Sequence, residues 1–256
     1  MVSEIFSLRC KKNKLVEVAE PRQHIRHWSQ AFTLAEVLIT LSIIGIIAAL
    51  TIPSLVSVYK KKVIETKLVQ FYSTFNQALN RAKVEYGDFS QWKLLTYEST
   101  EEEVKLWHET YIKPYIKVLK TEYEKIDSTP RIIDYLPNGS VVIIGFESWM
   151  FFPDSKDFKL LVVGEDGEQY NYPDKKQSGI SWFTFLFRPN DDNEYHKNRG
   201  LEPYKSDKFD GTKEYLINDS ALGCNAQNDL TRERAYCAAL IQMNNWKIPD
   251  DYFYNF

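Results

Sequence analysis

One carboxylate stands alone in the longest apolar run of this 256-residue chain: between Phe32 and Tyr59 the only charged residue is Glu36. A carboxylate placed in hydrocarbon costs a few kcal/mol on insertion scales, so it calls for a partner and a purpose. The chemistry open to it is charge pairing in a medium without water. No other residue set forms a reaction centre. The histidines His24, His27, His108 and His196 lack metal-ligand spacing. The chain has no Gly-rich phosphate loop, no nucleophile elbow and no thiol with a dedicated base. Catalysis, a resident metal and a cofactor are therefore not expected. Asp191, Asp192, Asp207 and Asp210 lie in the polar, turn-rich stretch 188–215 and raise the question of calcium. Their spacing matches no calcium loop, and an exposed, solvated loop is the expectation.

The element that positions Glu36 is the run itself, FTLAEVLITLSIIGIIAALTIPSLVSVY. About 20 apolar residues as a helix cover the roughly 30 Å of a bilayer core, so the run is long enough to cross one. Its flanks are basic: Arg22 and Arg26 before it, Lys60, Lys61 and Lys62 after it. Residues 1–31 hold six bases against three acids, a charge of +3, which leaves −6 on the remainder of a chain whose net charge is −3. A basic head on an acidic body has the look of an export signal. A plain signal anchor and a cleaved secretory signal both fit the length. The secretory cut would follow the run, where Ile47-Ala48-Ala49-Leu50 is a poor small-x-small site. Neither reading explains an acid near the start of the run.

The stretch AFTLAEVLITLSIIGIIAALTIPSL resembles the cleavage and methylation signal of type IV pilins and of type II secretion pseudopilins. The resemblance implies a cut between Ala31 and Phe32 by a prepilin peptidase, methylation of the new Phe32 amine, and a role for Glu36 in processing and assembly. The family usually has Gly before the cut, where this chain has Ala31. Gly45 and Pro53 fall where many pilins carry a helix-loosening Gly and a kinking Pro. The implied organisation is a leader over 1–31, a membrane and filament-core helix over 32–59, and a pilin-like globular domain over 60–256. The implied function is that of a structural subunit, a minor pilin or pseudopilin of a type IV pilus, competence filament or secretion pseudopilus. Its partners would be the peptidase, other pilin or pseudopilin subunits, the inner-membrane assembly platform and membrane lipid. Nucleic acid enters only if the filament takes up DNA, because the acidic balance gives no general case for it. Before assembly the chain would cross the inner membrane once with its domain outside the cytoplasm. Physics supports the motif: Glu36 of one helix facing the Phe32 amine of a neighbour neutralises two charges that are costly in an apolar bundle, and sets register. The alternative is a monomeric, membrane-tethered module that binds a ligand outside the cytoplasm.

Loss of the leader would remove Cys10 and leave Cys224 and Cys237 in an oxidising compartment, where an even count favours a disulfide. Two free thiols are the alternative. Ile64, Leu68, Phe71, Phe75, Leu79 and Ala82 recur at helical spacing, so the helix is expected to continue amphipathically to about Gly87. A second helix is expected from Ser99 or Thr100, with Glu102 and Glu103 at capping-box distance. Its buried side is read as Leu106, Tyr111, Ile112, Tyr115, Ile116 and Leu119, with Pro114 as a kink. Strands follow: RIIDYLPNGSVVIIGFE reads as a hairpin around Asn138-Gly139, then WMFFPD, KLLVVGEDGE with a turn at Asp166-Gly167, and SWFTFLF. The C-terminal tail around Trp246 reads as docked. The expected fold is α+β: a long N-terminal helix on an antiparallel β-sheet, closed by a C-terminal disulfide.

Overall fold

The computed structural model describes residues 32–163 and 170–256. The leader, Ala31 and the Asp166-Gly167 turn lie outside the described residues. The chain divides into two compact units, residues 1–49 and 50–256.

Helix α1 spans Leu34–Tyr86, 53 residues, with Pro53 inside it. From residue 50 onward it belongs to the second unit, and there the expected stripe is buried: Leu68, Phe71, Phe75, Leu79 and Ala82. The helix stops where Gly87 takes a left-handed φ of 81°. A residue without Cβ reaches that conformation at no steric cost. Helix α2, Glu101–Tyr111, starts as expected: Thr100 is its N-cap and forms a reciprocal capping box with Glu103, with N–H···O distances of 3.3 and 3.0 Å.

The expected buried side of α2 holds in part: Ile112 is buried, and Tyr111, Tyr115 and Ile116 pack against the core. Leu106, however, is 66% exposed, and Val104, Trp107 and His108 are buried in the helix. Leu106 looked apolar enough to lead the stripe, but Trp107 packs edge-on to Trp149 at 6.4 Å and His108 bonds Asp134, and these contacts turn Leu106 outward. Leu119 is also exposed, since it immediately precedes an edge strand. Pro114 does not kink the helix. It sits in a 3-10 turn, Lys113–Tyr115, just beyond the end of α2, where a residue with no N–H is tolerated.

The main sheet is antiparallel with strand order β1-β2-β3-β4-β7-β8. Its strands are β1 (Lys120–Ile126), β2 (Thr129–Tyr135), β3 (Val141–Ile144), β4 (Ser148–Phe152), β7 (Phe183–Leu186) and β8 (Glu202–Pro203). Between β4 and β7 the chain forms a separate hairpin of β5 (Leu160–Val163) and β6 (Tyr170–Pro173). The expected Asn138-Gly139 turn joins β2 to β3: Gly139 N–H donates to the Leu136 carbonyl at 3.0 Å and Gly139 has φ 78°. Pro137 and Asn138 precede the left-handed glycine, the order of a three-residue hairpin loop.

Strand β1 was not expected. Its sequence KTEYEKI is mostly charged, which suits an edge that must not recruit further strands. It pairs with β2 through Asp127 and Ser128, both at positive φ, a two-residue turn whose twist matches the strands.

The runs VVII and WMFF are apolar throughout because the sheet is covered on both faces. Side chains alternate, so Ile132, Val142, Ile144, Trp149, Phe151, Phe183 and Phe185 join one apolar cluster with α1, whereas Ile133, Val141, Ile143, Met150 and Phe152 join a second. Leu160, Tyr172 and Phe158 pack on that second cluster.

Stretch 188–215 is not the exposed loop expected. His196, Leu201, Glu202, Lys205 and Phe209 are buried, and β8 pairs with β7 through Phe185–Pro203 and Leu186–Glu202. Periodicity gave no sign of this because single contacts pin the segment. The Asn76 side chain donates to the Leu201 carbonyl and accepts its N–H, both at 2.9 Å, in the manner of a neighbouring strand.

Helix α3 spans Lys213–Asn218 and α4 spans Cys237–Met243. Cys224 and Cys237 are joined in a disulfide with 4.8 Å between their Cα atoms. The bonded Cys237 lies against Gly179, φ 73°, where a Cβ would stand 2.4 Å from its sulfur. Across a sequence separation of 13, chain entropy assigns such a link about 3 kcal/mol. Reduction of the full chain is expected to lower its stability by that amount, read as the denaturation midpoint with and without reductant. An unchanged midpoint would show that packing alone holds this region. The fold is α+β and, in the way a long N-terminal helix packs its later turns on an antiparallel sheet, pilin-like in general layout.

Candidate functional site

The start of α1 and the residues just before it carry an exposed apolar surface among the described residues. Phe32 is 82% exposed, Leu34 78%, Leu50 75% and Leu55 69%. An 18-residue window of this helix has a mean hydropathy of 2.3 and is not buried at all, so it is long and apolar enough to cross a membrane. A surface of this kind marks a place meant to be covered by lipid or protein.

Glu36 sits at the start of that surface. Its Oε2 accepts the Thr33 N–H and the Thr33 hydroxyl, both at 2.8 Å, and its own N–H donates to Thr33 Oγ1 at 3.2 Å. Thr33 and Glu36 therefore form a capping box that satisfies the helix's first orphan donors. The sequence signal for it is the Thr-x-x-Glu spacing of Thr33 and Glu36. Among the described residues no donor reaches Oε1, so that oxygen is open to a cation from outside. Gly45 has nothing within 4 Å of where a Cβ would stand, leaving a notch in the helix surface. The chain stays helical on both sides of Pro53.

Just past the run, the C-terminal tail is tied to α1. Buried Glu65 accepts the Ile248 N–H at 3.0 Å and the Lys247 ammonium at 3.1 Å. Lys61 donates to the Pro249 carbonyl at 3.3 Å and pairs with Asp250. Trp246 packs on Tyr72 at 5.0 Å, and the Tyr252 hydroxyl donates to the Gly179 carbonyl at 2.6 Å. The docked tail thus matches expectation, but Glu65, its main anchor, was not singled out. The available signal was an acid set beside Ile64 on the side of the helix that carries Leu68.

The acids in 188–215 do not converge. Asp191 pairs with Arg188, Asp192 with Lys197, Asp207 accepts from Asn193, and Asp210 caps Thr212. Among the described residues no three potential ligands could hold a metal ion. The two domain histidines are packed inside. His196 Nε2 donates to the Lys205 carbonyl at 3.0 Å, and burial pushes its pKa below the usual value. His108 lies between Asp134 Oδ2 at 2.8 Å and the Tyr123 hydroxyl at 3.3 Å. Burial, with Glu109 and Asp134 nearby, pushes the Tyr123 phenol up to about 12. This cluster joins α2 to β1 and β2, with His108 and Asp134 fully buried and Tyr123 half-buried at its margin.

No curated protein and no solved structure matches the chain. A family model does, over residues 54–256, which covers nearly the whole of the second unit. By that match the chain belongs to a family of unknown function, DUF6613.

Proposed function

We propose that this chain is a filament subunit of the pilin or pseudopilin kind. Its precursor is cut between Ala31 and Phe32 by a prepilin peptidase and methylated on Phe32. Before assembly it is held in the inner membrane by its apolar helix, with the folded domain outside the cytoplasm. On assembly that helix exchanges lipid for neighbouring subunits' helices. The observation that carries the reading is an exposed apolar run whose only charge, Glu36, stands four residues after Phe32, with no donor on its Oε1 among the described residues. The disulfide suits a domain in an oxidising compartment.

A second reading draws on the Thr33–Glu36 capping box, which gives the acid a purely local role. The chain would then be a monomeric tether for a ligand-binding domain. Glu36→Gln separates the two, because glutamine keeps a capping box and loses the charge. A filament subunit with this change leaves a neighbour's Phe32 amine buried and unpaired, a penalty of several kcal/mol. Incorporation into filaments, measured against the membrane pool, should fall at least about tenfold. Mass spectrometry of the mature N-terminus checks that processing at Phe32 is intact. An unchanged ratio with normal processing would favour the tether.

A further inference from the structure

Where the apolar run ends, the domain has a cleft of about 460 Å³ lined by Tyr59, Lys60, Lys156, Asp157, Tyr254 and Phe256. A second hollow of about 300 Å³ shares Lys156, Asp157, Gln177 and Ser181 with it and adds Lys159 and Trp182. Shared walls make the two a single trough. Its lysines differ from their neighbours. Lys61 and Lys62 are paired with Asp250 and Glu65, whereas among the described residues Lys60, Lys156 and Lys159 make no salt bridge. Beside Lys156 in the 3-10 turn Ser155–Asp157, the largely exposed Asp157 carboxyl is pushed above the usual carboxylate range, chiefly by partial desolvation and then by Asp154, against the opposing pull of Lys60, Lys159 and Lys156. The trough therefore brings together, among the described residues, three lysine ammonium groups without an ion pair and the carboxylate of Asp157.

We propose that this trough binds the headgroup of a zwitterionic aminophospholipid of the phosphatidylethanolamine type, with Lys60 and Lys156 on the phosphate and Asp157 on the lipid ammonium. The inference rests on the membrane location in the reading above. Tyr59 is the last residue of the apolar run and Lys60 the first beyond it, so the trough opens at the depth where the helix leaves hydrocarbon. Exposed Tyr59 and Tyr254 on its rim are the residue type that settles at headgroup level. Charge selects the headgroup. A purely anionic lipid meets the repulsion of Asp154 and Asp157, and a choline group has no N–H to donate to Asp157. A primary ammonium beside a phosphate satisfies both the lysines and the carboxylate.

The test is native mass spectrometry of the full chain in detergent, titrated with phosphatidylethanolamine or phosphatidylcholine. The wild type should retain the former about fivefold better. Asp157→Asn should bring the two lipids level, and Lys60→Ala with Lys156→Ala should weaken retention of both. These side chains are exposed, so the fold should survive the changes, and tryptophan fluorescence checks it. Equal retention of the two lipids by the wild type, or a preference that survives Asp157→Asn, would overturn the proposal. So would full displacement by millimolar phosphoethanolamine, which would make the ligand a soluble zwitterion and not a lipid. Carbonate washing of membranes keeps the two ideas apart. A chain that stays in the membrane yet shows no lipid preference defeats this inference alone, and a chain that washes off defeats the membrane reading.

Discussion

Replacing Asp134 by Ala is expected to destabilise the folded unit by about 3–5 kcal/mol, the range for breaking one side of a fully buried polar pair. Asp134 Oδ2 lies 2.8 Å from His108 Nε2, and its Oδ1 accepts the Thr121 hydroxyl at 2.6 Å. The His108 and Asp134 side chains are both 0% exposed, so no water can replace the lost acceptor. Removing Asp134 leaves the His108 donor unpaired in the interior, and the desolvation cost already met in folding goes uncompensated. His108→Ala should cost a similar amount. The double substitution should cost clearly less than the sum, because each single change already breaks the shared bond. Denaturant unfolding of the full chain in detergent, followed by tryptophan fluorescence, gives all three values. Single-variant losses below about 1 kcal/mol would show that the pair contributes no more than an ordinary exposed contact.

Phe71→Ala is the second large effect, expected to cost about 3–5 kcal/mol. Phe71 is where α1 meets the sheet. Its ring stacks on Phe151 at 4.2 Å with 14° between planes, and meets Phe185 edge-on at 4.9 Å. Phe75 packs against it at 4.8 Å and carries the contact on to Trp149. Truncation would open a cavity among rings fixed to a hydrogen-bonded sheet, which cannot collapse to fill it. Val69 on the same helix is 40% exposed, so Val69→Ala is a fair control and should change stability by no more than about 0.5 kcal/mol. Similar losses at both positions would mean that the helix stripe is not what holds the unit together.

The features legible in the sequence were those written in neighbouring residues. The stripe from Leu68 to Ala82 follows from helical spacing, the start of α2 from Thr100 and Glu103, and the β2–β3 hairpin from Asn138-Gly139. The features that were missed depend on pairs far apart in the chain. Leu106 could not be read as exposed without knowing that His108 must reach Asp134, and β8 could not be seen without the clamp Asn76 places on Leu201. The charged strand β1 was hidden for another reason, since an edge strand whose one buried residue is Ile126 carries a weak apolar signal. In the candidate site, the lone acid Glu36 is legible in the sequence, whereas its bond to Thr33 and the anchoring of the tail by Glu65 depend on the folded geometry.

The sheet's two apolar coverings also decide how its backbone meets solvent. Strand β3 lies between β2 and β4, with Val142 and Ile144 in one cluster and Val141 and Ile143 in the other, and all four are buried. Its amides have no local route to water: there is no free edge to fray and no bare face to wet. They can exchange hydrogen with solvent only when the whole unit opens, so the exchange rate at β3 measures global stability, whereas β1 and β8 at the margins report local fraying. In a chain whose apolar helix complicates ordinary unfolding measurements, those four amides act as an internal gauge of the folded domain.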